Sequence, residues 1–254
     1  MSVWDTEENN RSNYTHSCLY SLLKTVDFDL HSLIVVDNGS CERTKHTLHH
    51  FQNVIRMMVI ENETNVGQAA ALNQAFAYNT EPSSLIRIDN DIIFKTEDWV
   101  EILEETVERD STIGIAAAKR RDLIDSPNRP DGCWSKTSLR MLNQERGQRW
   151  IAVEDINETL GSVQLINKEL FKKIGYLDVF GKWGLEDHGY AVRAKLAGFK
   201  SCYVCGIDIE HLDDVQEEAP YQLWKRKTAA EMMPEMDRIV NEYKNGTRPL
   251  RRDA

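Results

Sequence analysis

The feature that most restricts this chain is the alternation of short apolar runs with stretches of helical spacing. Leu33-Ile34-Val35-Val36 holds no polar residue and ends at Asp37-Asn38-Gly39-Ser40, which predicts a strand buried on both faces running into a turn. Arg56–Ile60, Leu85–Ile88 and Ile113–Ala118 predict further strands. Between them, residues 14–24, 45–51, 67–78 and 99–109 carry the spacing or composition of helices. Strands separated by helices of this length predict a parallel sheet with right-handed crossovers.

The pattern changes after Ala118. Residues 119–147 are polar, contain Pro127, Pro130 and Gly132, and show no period, so they are expected to form a functional lid or a disordered loop. Beyond them, residues 161–166 predict a strand and 168–174 a short helix. Residues 186–197 predict a helix closed by Gly198, and 201–204 and 207–209 two short strands. A long helix over 221–243, bent or split at Pro234, completes the pattern. The expected organisation is one α/β domain over 1–215, with a donor half to about 118 and an acceptor half from 119. A helical extension over 216–254 follows.

The charge balance restricts the partners. Lys and Arg number 31 against 41 Asp and Glu, a formal net charge of −10. Most of such a surface repels nucleic acid and anionic lipid, while acidic metal sites fit it easily. No apolar run approaches the roughly 20 residues that span a bilayer, and the polar start is not a signal peptide, so a cytoplasmic protein is expected. Five cysteines, an odd number, suit reduced thiols. Cys202 and Cys205 have C-x-x-C spacing without a second pair, and are expected to be buried structural residues.

Five places could carry chemistry. Asp89-Asn90-Asp91 follows an apolar strand, at the sheet edge where open α/β folds bind ligands. Two carboxylates one residue apart suit Mg²⁺ or Mn²⁺, though the same residues suit a solvated turn. Asp37 ends another strand on the same expected edge. Asn65-Val66-Gly67-Gln68 opens a helix, where free backbone N–H groups favour anions and Asn65 can cap. Trp183-Gly184-Leu185-Glu186-Asp187 places two carboxylates in a first helical turn behind an aromatic that can floor a sugar ring; the helix dipole alone would also favour those acids. His211, at a strand end, is a metal-ligand candidate that alone reads equally as an ordinary histidine.

Together these stretches resemble the family-2-type glycosyltransferases of the GT-A fold, over roughly residues 13–211. The matching segments are Val35 to Ser40, Asn65-Val66-Gly67 with Asn73, Ile88 to Asp91, and Gly184 to Asp187. The Trp-Gly-x-Glu-Asp stretch also looks like the acceptor-side motif of β-1,4-galactosyltransferases. The resemblance implies a GT-A (Rossmann-like), mostly parallel central sheet flanked by helices, and a nucleotide-sugar donor, usually UDP-linked. It implies that Asp37 contacts the base, that Asn65 and Gly67 line the donor pocket with Arg87 and Asn90 beside them, and that Asp89 meets the ribose or the metal shell. Asp91 would ligate Mn²⁺ or Mg²⁺, with His211 completing the site. Asp187 would be the general base of an inverting transfer, and Trp183, Gly184 and Glu186 would hold the acceptor.

The chain departs from the family at its start, where only Met1 to Thr6 precede the polar run 7–13. The usual first strand is expected to be very short or missing, with Thr6 and Glu8 as candidate base contacts. A nucleotidyltransferase would need a glycine-rich basic loop that the chain lacks. An inactive sugar-nucleotide- or glycan-binding module would be marked by loss of Asp91 or Asp187, and both are present. The acceptor is open: a glycan, a lipid-linked sugar or a polymer. The basic residues of 119–149 (Lys119, Arg120, Arg121, Arg129, Lys136, Arg140, Arg146, Arg149) could serve an anionic acceptor or form a solvated loop. Lys225-Arg226-Lys227 and the basic tail could touch a membrane surface, but on a predicted helix the cluster reads more simply as a solvated face, and nucleic acid is a candidate only for the 119–149 region.

Overall fold

A computed structural model describes residues 1–78, 84–121, 123, 136–143, 147–212 and 220–253. Three strands, β1 (Ser2–Val3), β2 (Leu33–Asp37) and β3 (Met57–Glu61), pair in parallel in the order β1-β2-β3. The first strand is therefore present, though only two residues long. The Val36 N–H donates to the Met1 carbonyl and the Asn38 N–H to the Val3 carbonyl. A parallel bridge from Ser2 to Asp89 ties β1 to the end of β4 (Leu85–Ile88).

The second set of strands runs in the order β4-β9-β6-β10-β8-β7, with β5 (Ile92–Phe94) also on β10. Its members are β6 (Ile113–Arg120), β7 (Lys136–Met141), β8 (Ala152–Ile156), β9 (Val163–Ile166) and β10 (Lys200–His211). Here only β6 and β10 pair in parallel; β9 runs antiparallel to β4 and β6, and β8 to β7 and β10. The α/β class stands as expected, but the sheet is mixed rather than mostly parallel: among the described strands three pairs are parallel (β1-β2, β2-β3, β6-β10) and five antiparallel, since β7, β8 and β9 follow one another without the crossover helices that parallel pairing needs. Three strands escaped sequence reading: β5, β7 and β8. Each is short or mixed in polarity, so neither a period of two nor an apolar run marks it.

Helices cover both sheet faces. On one, α1 (Ser12–Thr25), α2 (Glu42–Gln52) and α4 (Trp99–Arg109) bury Leu19, Leu22, Phe51 and Leu103 against Val35, Ile113 and Val163. On the other, α3 (Gln68–Ala77), α5 (Lys168–Ile174) and α6 (Glu186–Leu196) bury Leu72, Phe76, Leu170 and Tyr190 against Ile115 and Ile166. Gly198, just past α6, has φ +90°, the left-handed conformation that suits a glycine closing a helix.

The C-terminal helix α7 (Pro220–Lys244) continues through Pro234 and is docked. Tyr243 Oη donates to the buried Asp178 Oδ1 at 2.7 Å, and Asp178 Oδ2 lies 3.2 Å from Arg193 Nη1. Met232 packs so closely on Gly181 that a Cβ there would lie 2.6 Å from its sulfur. These contacts fix α7 beside the 175–185 loop.

Two expectations about local chemistry change. Cys202 is buried, but Cys205 is exposed, because the register shift in β10 between Val204 and Ile209 breaks the inside–outside alternation; Cys133 lies outside the described residues. The basic residues of 119–149 are largely engaged with acids. Lys119 pairs with Glu154, Arg121 with Asp208, Arg140 with Asp110 and Asp155, and Arg149 with Asp98 and Glu105. Arg129, Arg146 and the Lys136 side chain lie outside the described residues. Among the described residues no helix is long and apolar enough to cross a membrane.

Candidate active site

A cleft of about 840 Å³ opens where the ends of β1 and β4 meet the start of α6 and the first turns of α7. Asn65, Arg87, Asp89, Asn90, Asp91 and His211 line it together with Trp183, Gly184, Glu186 and Asp187. Asp37, Gly67 and the two candidate base contacts Thr6 and Glu8 do not line it.

Asp37 is buried beneath the cleft. Its Oδ1 accepts the Ser40 N–H at 2.9 Å, closing the turn after β2, and its Oδ2 has no hydrogen-bond partner. Gly67, at φ +98°, admits the neighbouring loop: a Cβ there would lie 2.5 Å from the Gly181 carbonyl oxygen. The N–H groups expected to await an anion are already engaged. Gln68 N–H donates to the Lys182 carbonyl, Gly67 N–H to Asn65 Oδ1 and Val66 N–H to Asn38 Oδ1. Asn90 likewise supports the wall, donating to Asp5 Oδ1 at 3.0 Å and Thr15 Oγ1 at 2.7 Å.

The two aspartates of the D-x-D differ. Asp89 Oδ1 accepts from Gln68 Nε2 at 3.1 Å and stands 4.0 Å from Arg87. Burial, opposed by Arg87, pushes its carboxyl up to about 7; its side chain is 27 % exposed to the cleft, where solvent moderates that push. Asp91 is buried. Its Oδ2 pairs with Arg11, and its Oδ1 has no hydrogen-bond partner and faces His211 Nε2 at 3.5 Å. The antiparallel pairing of β5 with β10, His211 opposite Ile92, brings the histidine there. A buried carboxylate oxygen left unpartnered beside an imidazole nitrogen suits a divalent cation, with phosphate oxygens supplying further ligands. Among the described residues no group of three or more such side chains closes a full metal cage.

Glu186 and Asp187 are neighbours with different surroundings. Glu186 is buried, and its Oε1 accepts from Arg87 Nη2 at 2.7 Å. Burial raises its pKa against the pull of Arg87. Arg87 is itself packed flat on Gly161, where a Cβ would lie 2.4 Å from Nη2. Asp187 is half-buried at the cleft. Its Oδ2 accepts the Gly161 N–H at 3.1 Å and its Oδ1 the His188 N–H at 2.9 Å, bonds that orient it. His188 Nδ1 lies 2.6 Å from Glu158 Oε2, and that bond holds the imidazole above its usual pKa.

Sequence reading missed one wall. Tyr221, Trp224 and Lys225, at helical spacing on α7, turn towards Trp4, Trp183 and Arg11. Tyr221 stacks on Trp224 at 5.7 Å, Trp224 meets Trp4 at 4.8 Å, and Lys225 Nζ lies 4.6 Å from the Tyr221 ring and 5.4 Å from that of Trp183. Lys225 and Arg226 line the cleft, while Arg226 and Lys227 are exposed as expected of a solvated face. The i, i+3, i+4 spacing was a signal of a shared helix face, but not of what that face would meet.

Comparison with solved structures agrees with this fold. The chain superposes on the mannosyltransferase PcManGT of Pyrobaculum calidifontis, solved with GDP-Man and Mn²⁺, at TM-score 0.61 and 16 % identity, covering 88 % of this chain and 59 % of that one. It matches GalNAc-T7, solved with UDP, GalNAc and Mn²⁺, at TM-score 0.61 and 16 % identity, covering 85 % and 44 %. It matches S. aureus TarS 1-349 with UDP-GlcNAc at TM-score 0.58 and 15 % identity, covering 96 % and 71 %. The chain thus spans less than two-thirds of the first two of these proteins, and at such identities the likeness shows the fold. A search of curated proteins by sequence returns no match. The family profile described as glycosyl transferase family 2 matches residues 9–175, more than half of the chain. On that match and this fold, the chain belongs to glycosyl transferase family 2.

Proposed function

We propose that the protein is a metal-dependent, inverting glycosyltransferase that moves a sugar from a UDP-linked donor to a hydroxyl acceptor. The observation that carries this reading is the convergence on one cleft of Asp91, its free oxygen facing His211, and of Asp187, held by two backbone N–H groups. Mn²⁺ or Mg²⁺ held by Asp91 and His211, with Asp89 beside them, would neutralise charge on the departing diphosphate. Asp187 takes the proton of the acceptor hydroxyl as its oxygen bonds the anomeric carbon, and the bond from that carbon to the diphosphate oxygen breaks on the opposite face. Arg87 holds Glu186 in place, and Trp183 offers the acceptor sugar an apolar face.

In this reading residues 1–118 form the donor half and 119–215 the acceptor half. Residues 216–254 are taken as the C-terminal extension, of which α7 (Pro220–Lys244) lines the cleft. The aromatic wall of Trp4, Tyr221 and Trp224 suits a sugar or base ring, so the acceptor is taken to be a glycan or a lipid- or polymer-linked sugar.

The test is titration calorimetry of UDP with and without Mn²⁺, on the wild type and on Asp91→Ala. Binding that needs Mn²⁺ and disappears in the variant is the expected result. UDP binding unaffected by metal and by the substitution would sink the metal assignment, and absence of UDP binding would sink the donor assignment.

A further inference from the structure

Arg11 is the residue at the N-terminal cap of α1, where the helix dipole disfavours a cation, and the first turn holds no acidic residue to offset it. It is nevertheless buried, with its guanidinium on Asp91 Oδ2. The rings of Tyr14 at 5.0 Å and Tyr221 at 4.5 Å flank it. The carboxylate assigned above as the metal ligand and two aromatic faces are thus among the groups that compensate this badly placed, desolvated cation. Each oxygen of Asp91 faces a different group: Oδ2 faces Arg11, and Oδ1 faces His211 with no hydrogen-bond partner.

We propose that Arg11 is a positioning residue that competes with the divalent cation for Asp91, so that the site admits metal together with a nucleoside diphosphate and rejects metal alone. This inference rests on the assignment of Asp91 and His211 as metal ligands. A guanidinium on the carboxylate lowers its negative charge and repels a dication arriving at the other oxygen. When the dication arrives with a diphosphate, the phosphate oxygens give Arg11 a second anion, and its planar fork suits phosphate as well as carboxylate. Tyr221 belongs to α7, so the same exchange reports to the helix that walls the cleft. A site that is metal-competent only in the fraction of molecules whose arginine has moved shows its metal affinity reduced by that fraction.

The experiment measures bound Mn²⁺ by electron paramagnetic resonance, with and without UDP, in the wild type, Arg11→Gln, Arg11→Lys and Arg11→Gln/Asp91→Asn. Arg11→Gln should bind Mn²⁺ without nucleotide about tenfold more tightly than the wild type, the gain expected if about nine molecules in ten are blocked. The added Asp91→Asn change should abolish the gain. Arg11→Lys keeps the charge, so it should stay close to wild type, and it serves as the folded comparison if the glutamine variant is unstable. Free-Mn²⁺ affinity equal to or weaker than wild type in Arg11→Gln, with UDP-dependent Mn²⁺ binding intact, overturns the competition and leaves the metal site standing. UDP binding that requires Arg11 but no metal overturns both, and assigns the diphosphate's cation to Arg11 itself.

Discussion

The two sides of the cleft use their polar residues in opposite ways. On the side built by β1 to β3, side chains other than Asp37, whose Oδ2 has no hydrogen-bond partner, are joined to one another. Asn38 donates to Asn65 Oδ1 and accepts from Asn62 and Val66; Asn62 and Gln74 exchange hydrogen bonds; Asn90 and Thr15 close on Asp5. On the side built by β5, β10 and α6, carboxylates keep unused capacity: Asp91 Oδ1 and Glu186 Oε2 are buried without hydrogen-bond partners, and Asp187 fronts the cleft. Buried polar groups are expected to be satisfied, so the first side defines shape and the second holds the groups that await a ligand. A polar cluster read from sequence cannot distinguish these uses.

The largest expected effect tests the reactive side. If Asp187 is the base, Asp187→Asn should lower kcat for sugar transfer by about 10²–10⁴-fold, the usual worth of a positioned base. UDP affinity should stay within about twofold, because Asp187 is not expected to bind the donor. Transfer assays beside calorimetry would decide; a variant that loses UDP binding and activity together would place Asp187 on the donor side instead.

A smaller effect is expected where the two sides meet. Gly161→Ala places a methyl group 2.4 Å from Arg87 Nη2. The guanidinium is the end of a flexible chain, but it is buried and bonded to Glu186, so overpacking should destabilise the fold by about 1–3 kcal/mol. Urea unfolding measures this, and an unchanged midpoint would show that Arg87 has room to retreat.

The smallest effect is the pH dependence of the His188–Glu158 pair. The bond to Glu158 raises the His188 pKa in the folded state. Its contribution is therefore fully present below the unfolded histidine value of about 6.5 and is lost as pH rises through the higher folded value. The side chain is 33 % exposed, so solvent screening keeps the effect small. The stability difference between wild type and His188→Gln should shrink from pH 6 to pH 9; a constant or growing difference would remove the ion pair from the account.

Local signals carried much of the architecture. The apolar run Leu33–Val36 became a central strand, the alanine-rich stretch after Gly67 became α3, and Gly198 closed α6. Those outcomes depend on neighbours within one or two turns, which the sequence displays directly. The short β5 and the polar β7 and β8 were illegible, since their conformation depends on other strands, β5 and β8 on β10 and β7 on β8. The same limit governed the site. Asp89, Asp91, Glu186 and Asp187 were visible as carboxylates in telling places, while nothing near Arg11 in the chain pointed to Asp91, 80 residues on.

By itself the sequence determined the helices and the apolar strands, and which carboxylates stand at strand ends and in a first helical turn, because propensity and periodicity are local properties. Only the tertiary structure decided that His211 faces Asp91, that Arg87 engages Glu186 and leaves Asp187 at the cleft, and that α7 lines the site. Those outcomes depend on which buried charges find partners when the sheet assembles, and desolvation makes that pairing a property of the folded whole.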